Sequence, residues 1–284
     1  MNFRNPILLT LAGSSVLLTP AWATYENVSN CPYCQAFDTL ATSGTATWRN
    51  DMSGFTGWFI QSTSASFSGN GSGLTYSAGT GTSSASGIYS FGTGADRSLG
   101  AVAGTASIAF GHLLRNDTAN TLTSLTISYT GEQWRSASTS AQSLQFSYAV
   151  AAGLTGTFFD VAAVGAKGYL SPTVVSGSDA SGDNKGLNWV AASSGNFTSP
   201  NLSNSGPVFA STAINFTLTG LNIPSGSSIM LRWLDVQGNT DGLALDNVCV
   251  SVPVPEPSTY AAGAAVALMV GGAVLRRRSS RNKA

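Results

Sequence analysis

Cys31-Pro32-Tyr33-Cys34 has the C-x-x-C spacing that supports thiol–disulfide exchange when the first thiolate sits at a helix N-terminus behind a strand. No strand–helix pattern surrounds it, so the two thiols are expected to be structural. His112 is the only histidine, and any Ser-His-Asp triad or zinc site would have to use it. Its neighbours Phe110-Gly111-His112-Leu113-Leu114 read instead as strand beside a bend. Glycoside hydrolysis needs two carboxylates across the scissile bond. Between residues 24 and 253 the only glutamates are Glu26 and Glu132, so a glycan hydrolase here would pair Glu132 with an aspartate. The default expectation is that Glu132 forms an ion pair with Arg135 while Trp134 packs into the core, and that the chain is not an enzyme. Asp235, Asn239, Asp241, Asp246 and Asn247 are closely spaced hard oxygen donors of the kind calcium takes. Their spacing is not that of an EF-hand, and Asn239-Thr240-Asp241-Gly242 spells a hairpin turn, which is the reading adopted. Neither a metal nor a cofactor is expected. Aromatic faces stack on sugar rings. Of Trp48, Trp58, Trp134, Trp189 and Trp233, only Trp189 lies in a polar stretch, which makes it the candidate glycan contact.

Short alternating runs must position these residues. Apolar and polar residues alternate in Leu125–Tyr129, Leu144–Val150, Ile214–Leu218 and Ile229–Trp233, a period of two that puts one face on a core. Trp58–Ile60, Gly87–Phe91, Ser107–Leu113, Phe158–Val164 and Leu243–Val252 are further candidate strands. No stretch between residues 24 and 253 carries a capped 3.6-residue apolar stripe. Many strands without alternating helices predict an all-β fold, an antiparallel β-sandwich of jelly-roll type. Gly69–Gly87 and Ser171–Gly206 are rich in Ser, Gly and Asn and read as loops, the second carrying Asp179, Asp183, Lys185 and Trp189. Residues 24–253 are expected to form one domain.

Charge excludes one class of function. Thirteen basic and thirteen acidic residues leave no basic surplus for nucleic acid. The balance is uneven, because residues 24–253 carry seven basic and twelve acidic side chains, a net charge of −5. The positive charge is concentrated at the two ends. Arg4, the apolar stretch Ile7–Leu18 and Ala21-Trp22-Ala23 form a secretory signal over residues 1–23, with cleavage after Ala23. An exported chain oxidises its thiols. Cys31–Cys34 is one pairing; Cys249 with either of them would close a far longer loop, and the spacing leaves the choice open. At the other end Pro255-Glu256-Pro257 precedes Thr259–Leu275, seventeen residues without a charge, and then Arg276-Arg277-Arg278. Seventeen helical residues cover about 26 Å, enough for a thin bilayer, and the arginines would stay cytoplasmic.

This motif, short transmembrane span (259–275) and basic tail, all within residues 254–284, resemble the PEP-CTERM sorting signal of Gram-negative bacteria. The resemblance implies export, transient lodging in the inner membrane, and an exosortase, a membrane protease-transpeptidase, as partner. The destination would be the cell surface or extracellular matrix, in association with exopolysaccharide. Gly87–Gly92, Tyr129–Arg135 and Arg232–Asp235 leading to Gly242–Asn247 resemble the bodies of sorted surface proteins of this class, and the last of these pieces is similar to the closing strands of lectin-like jelly rolls. That second resemblance implies a fold and no activity.

Overall fold

Residues that alternate in the sequence pair across two sheets. The computed structural model describes residues 25–50, 52–63, 74–137, 140–151, 176–178, 187–202, 205–238 and 240–252. The signal segment 1–23, the tail 254–284 with its motif, span and arginines, the Phe158–Val164 strand, and Asp179, Asp183 and Lys185 lie outside the described residues. Among the described residues no helix is long and apolar enough to cross a membrane.

One sheet runs β8 (Ile108–Arg115), β15 (Ser228–Asp235), β10 (Ser143–Ala151), β12 (Asn188–Ala191) and β11 (Gly177–Ser178). β4 (Trp58–Ser62) and the short β1 (Glu26–Asn27) flank β8, and β13 (Phe197–Thr198) shares the edge of β10 with β12. The other sheet runs β14 (Gly206–Ile223), β9 (Leu122–Ser136), β16 (Gly242–Ser251), β7 (Ser98–Val102), β6 (Gly87–Phe91), β5 (Leu74–Gly79) and β3 (Thr45–Trp48). β2 (Tyr33–Gln35) lies beside the end of β16. The order β7-β16-β9-β14 facing β8-β15-β10-β12 is jelly-roll wiring, in which successive long strands cross from one sheet to the other. Pairing is antiparallel except at β1–β8 and β5–β6, which are parallel.

Alternation explains the faces. Phe110, Leu231, Trp233 and Phe146 from the first sheet join Ile127, Tyr129, Leu99, Leu243 and Leu245 from the second in one buried cluster. Trp233 is fully buried, with the rings of Phe146 and Tyr129 centred 5.2 and 5.7 Å from its own. Burying a side chain of this size is worth about 4–6 kcal/mol of transfer free energy. The crossing from β14 to β15 is a tight turn in which the Ser227 amide donates to the Pro224 carbonyl at 3.0 Å. Gly226 sits at φ +79° there, a conformation that favours glycine at the third position of a type II turn.

The stretches read as loops contain strands. β5 lies in the first of them, and β11, β12 and β13 lie in the second and return to the edge that begins at β10. Cys34 on β2 is opposite Cys249 on β16, and the two form a disulfide that ties positions 215 residues apart; Cys31 is a free thiol. Cys34 lies on a strand and Cys31 follows a single 3-10 turn, so neither has the helix N-terminus that redox chemistry requires.

Candidate functional site

The sheet β14-β9-β16-β7-β6 carries a second apolar row on its outward face. Ile88, Leu99, Leu243 and Leu245 point into the core, whereas Tyr89, Phe91, Val102, Trp134 and Ala244 form a separate cluster. Trp134 was expected inside the sandwich; alternation beyond the core-facing Tyr129 puts it outside with Glu132, and a bulge falls at its position. Gly242 pairs with Arg135 and Leu243 with Gln133, leaving Trp134 as the extra residue of β9. On its other side β14 is also irregular, since Pro207 pairs with Arg135 and Ala210 with Gln133. Phe209 therefore stands beside Trp134, ring centres 4.8 Å apart, and is 60% exposed. Phe91 stacks behind Trp134 at 6.1 Å, and Tyr89 behind Phe91 at 5.1 Å.

These rings border a cleft of about 350 Å³, lined by Trp134, Phe209, Glu132, Ser98, Thr93, Asp96 and Arg97. A second recess lies against it, shares Thr93 and Arg97, and extends to Thr42, Thr80 and Gly92. The Trp134 indole donates to Glu132 Oε2 at 2.8 Å and is 3.2 Å from Ser98 Oγ. The expected Glu132–Arg135 ion pair is replaced. Glu132 takes the indole, while Arg135 donates to the carbonyls of Gly81 and Thr82 at 3.3 and 3.4 Å. Arg97 is buried, donating from Nε to Ser90 Oγ at 2.9 Å and from Nη2 to the Ser90 carbonyl, and burial lowers its pKa against the opposing pull of Asp96. Asp38 accepts from the Arg97 amide at 3.1 Å.

Asp246 is next to this group. Glu132 pairs with Ala244 and Thr130 with Asp246, so Glu132 and Asp246 are diagonal neighbours on one face. Burial pushes Asp246 up to about 7; Glu132, Asp96 and Asp38 add to the rise, and the Asn247 amide opposes it.

The remaining sequence candidates fall elsewhere. Trp189 is not a surface contact. It is 1% exposed, packs with Phe59, Leu113 and Met230, and lies under the Arg232 guanidinium, 3.9 Å from ring centre to Cζ. Polar neighbours in the sequence suggested exposure, but pairing of β12 with β10 and the arrival of Arg232 from β15 cover it. The four of the five oxygen-donor residues that the structure describes do not converge on one point. Asp235, the last residue of β15, and Asp241, just before β16, are fully buried, Asp246 and Asn247 lie on β16, and Asn239 is outside the described residues. Burial raises the pKa of both Asp235 and Asp241. The Gln142 amide donates to Asp235, and the Ala137 amide to Asp241 at 2.6 Å. Among the described residues no three acids, histidines or cysteines gather around a metal-sized space. His112 stacks with both Trp58 and Tyr33, 4.8 and 4.7 Å between ring centres, is fully buried, and is pushed down to about 3 by that burial. A ring held neutral and out of reach of solvent is a core residue.

The class defined by fold and site is thus an all-β jelly-roll sandwich with an aromatic-lined polar cleft on the outer face of one sheet. No family model and no curated protein matches the sequence. Among solved structures the chain is similar to the xylan-binding domain of Paenibacillus barcinonensis Xyn10C, with 11% identity, 78% of this chain and 95% of that one covered, and a TM-score of 0.30. It is also similar to a family 11 carbohydrate-binding module of Clostridium thermocellum in complex with a mixed-linked tetrasaccharide, with 13% identity, coverage of 76% and 100%, and a TM-score of 0.30. A third is the enzymatically active domain of a bacteriophage CBA120 tailspike, with 9% identity, 69% of this chain covered and a TM-score of 0.31; the chain spans only 19% of that one.

Proposed function

We propose that this protein is an exported, non-catalytic glycan-binding sandwich that works at the cell surface or in the extracellular matrix. The observation that carries the binding reading is the cleft itself. Trp134 and Phe209 are angled aromatic neighbours at its wall, and Glu132, Ser98, Thr93 and Asp96 place polar atoms around them. Sugars present apolar C–H faces and a rim of hydroxyls, and an aromatic wall with polar groups beside it matches both. Affinity electrophoresis through soluble polysaccharides, exopolysaccharide included, tests this. Retardation is expected for the native protein and its loss for Trp134→Ala together with Phe209→Ala. Equal migration of both proteins in every polysaccharide would refute it.

Delivery is proposed to run through the sorting signal. Pro255-Glu256-Pro257, the span 259–275 and Arg276–Arg278 support an exosortase as partner and a transient stay in the inner membrane. The disulfide between Cys34 and Cys249 is consistent with an oxidising destination. The intact mass of the mature protein tests the proposal. It should lack residues 1–23 and those after the Pro255–Pro257 motif, and a mass that includes the arginine tail would overturn it.

One observation favours a second reading, hydrolysis. Glu132 and Asp246 share a face, and diagonal neighbours on a sheet stand about 7–8 Å apart, within the span that hydrolytic carboxylate pairs use. Against it, Asp246 is 4% exposed and does not line the cleft, whereas both acids must reach the scissile bond. Release of reducing ends from a polysaccharide that the protein binds would favour the enzyme.

A further inference from the structure

We infer that the cleft selects glycans carrying free amino groups, sugars whose amine is not acetylated, over neutral glycans and over those built from uronic acids. This rests on the glycan-binding reading above and adds the ligand's charge to it. Glu132 supplies the first argument. Its side chain is only 8% exposed, and one carboxylate oxygen is held by the Trp134 indole. The other takes no hydrogen bond from any described residue, and the side chain lines the cleft. An acceptor left open to the cleft on a side chain otherwise withdrawn from water calls for a donor, and its charge calls for a cation. A sugar hydroxyl supplies only the donor. An ammonium supplies up to three N–H donors and neutralises the carboxylate, and charge-assisted bonds are about twice as strong as neutral ones.

The surrounding charges point the same way. Asp96 lines the same cleft, and Asp38 and Asp246 act electrostatically on one another close behind it. Arg97 is the one cation in the lining, and two of its guanidinium nitrogens, Nε and Nη2, are engaged by Ser90. A uronate would thus meet two carboxylates and a guanidinium already engaged by Ser90 through two of its nitrogens, and like-charge juxtaposition excludes partners effectively. The Trp134 and Phe209 faces are compatible with a cation as well as with sugar C–H groups. Over residues 24–253 the net charge of −5 extends the attraction beyond the cleft and favours encounter with a polycation.

The test uses the exported protein and four probes of similar length. They are a β-1,4-linked glucosamine tetramer, its fully N-acetylated form, cellotetraose and tetragalacturonate, each titrated calorimetrically. The glucosamine tetramer is expected to bind about tenfold or more tighter than the two neutral probes, as one added charge-assisted bond gives. The preference should shrink between about 50 mM and about 500 mM salt, and tetragalacturonate should not bind. Glu132→Gln, which keeps an acceptor for the Trp134 indole, should bring the amine's advantage down to less than about threefold; an unchanged melting temperature would show that the fold is intact. Spermine serves as the control for bare charge and should bind more weakly than the glucosamine tetramer. Equal or tighter binding of a neutral or acidic tetramer would overturn the inference and leave glycan binding standing. So would spermine matching the amino sugar, or Glu132→Gln retaining the full preference. No binding by any of the four sugars would take down the glycan-binding reading as well.

Discussion

His112 should make this protein lose stability with acid in a way that can be isolated. The ring is fully buried against Trp58 and Tyr33, and neither nitrogen has a hydrogen-bond partner among the described residues. Burial pushes it down to about 3, against about 6.5 for an exposed histidine. Above the unfolded value the ring is neutral in both states and pH has no leverage. Between about 6.5 and 3 the unfolded chain takes up a proton that the folded chain refuses, so stability falls as pH falls, by about 1.4 kcal/mol per unit. At pH ~4.5 the loss from this residue alone is about 2.7 kcal/mol relative to pH ~7.5. Buried carboxylates act in the opposite sense. Asp235, Asp241 and Asp246 hold protons more tightly when folded, which favours the folded state as pH falls toward their unfolded values. The total pH profile therefore mixes opposing contributions, and a difference profile is needed. Urea unfolding of the native protein and of His112→Phe, which keeps a flat ring against Trp58 and Tyr33, supplies it. The carboxylate contributions cancel, and the native protein should lose about 2–3 kcal/mol relative to the variant over that interval. Parallel profiles would show that the imidazole reaches water or a partner when charged, and the burial argument would be wrong.

Three further outcomes follow from packing. Reducing the Cys34–Cys249 bridge, or replacing both with serine, should lower the urea midpoint by the equivalent of about 2–5 kcal/mol because the closed loop is long, whereas Cys31→Ser should leave it unchanged. Trp189→Ala should cost about 3–5 kcal/mol in thermal or urea unfolding and leave glycan affinity intact, since the ring is core and stacked on Arg232. Loss of binding without loss of stability would restore Trp189 as a ligand contact. Gly81→Ala should damage the cleft from outside, because a Cβ there would lie 1.8 Å from the Trp134 carbonyl in a backbone already at φ +83°. The expected result is a loss of at least about 1–3 kcal/mol together with weakened glycan retardation, and a variant with native melting and native retardation would contradict it.

The sequence shows some of the long strands because one face is wet or polar. Leu144–Val150 and Ile214–Leu218 alternate cleanly and lie within β10 and β14. Ser98–Val102 has no such signal, because all five residues of β7 are buried, the inner face by the core and the outer by the Phe91–Trp134 row. Small residues fill it, and Gly100 is required where a Cβ would lie 2.4 Å from the Leu243 carbonyl. β5 escapes notice for a different reason. Leu74 and Tyr76 alternate correctly, but they sit among Ser, Thr and Gly that spell loop. Glu132 and Trp134 were legible as residue types with potential chemistry. Their shared outward face follows from alternation beyond the core-facing Tyr129; the arrival of Arg135 and Phe209 beside them was not legible, since it depends on register shifts, the bulge in β9 among them, against two partner strands more than seventy positions away.

That bulge links the fold to the proposed activity. Without it strict alternation would place Arg135 on the face opposite Trp134, yet Arg135 pairs with Gly242, whose Cβ position would touch both the Arg135 Cβ and Phe91 at 3.1 Å. Trp134 and Arg135 therefore both emerge on the outer side, which a regular strand forbids. Arg135 reaches the carbonyls of Gly81 and Thr82 and fastens the connection between β5 and β6 over the sheet, while the Trp134 ring stays at the margin beside Phe209. One irregularity in β9 thus holds the cover over Tyr89 and Phe91 and leaves an aromatic wall open next to it. A sheet face that would otherwise be either solvent or core becomes a cleft, and its acidic lining is then placed within reach of whatever stacks on Trp134.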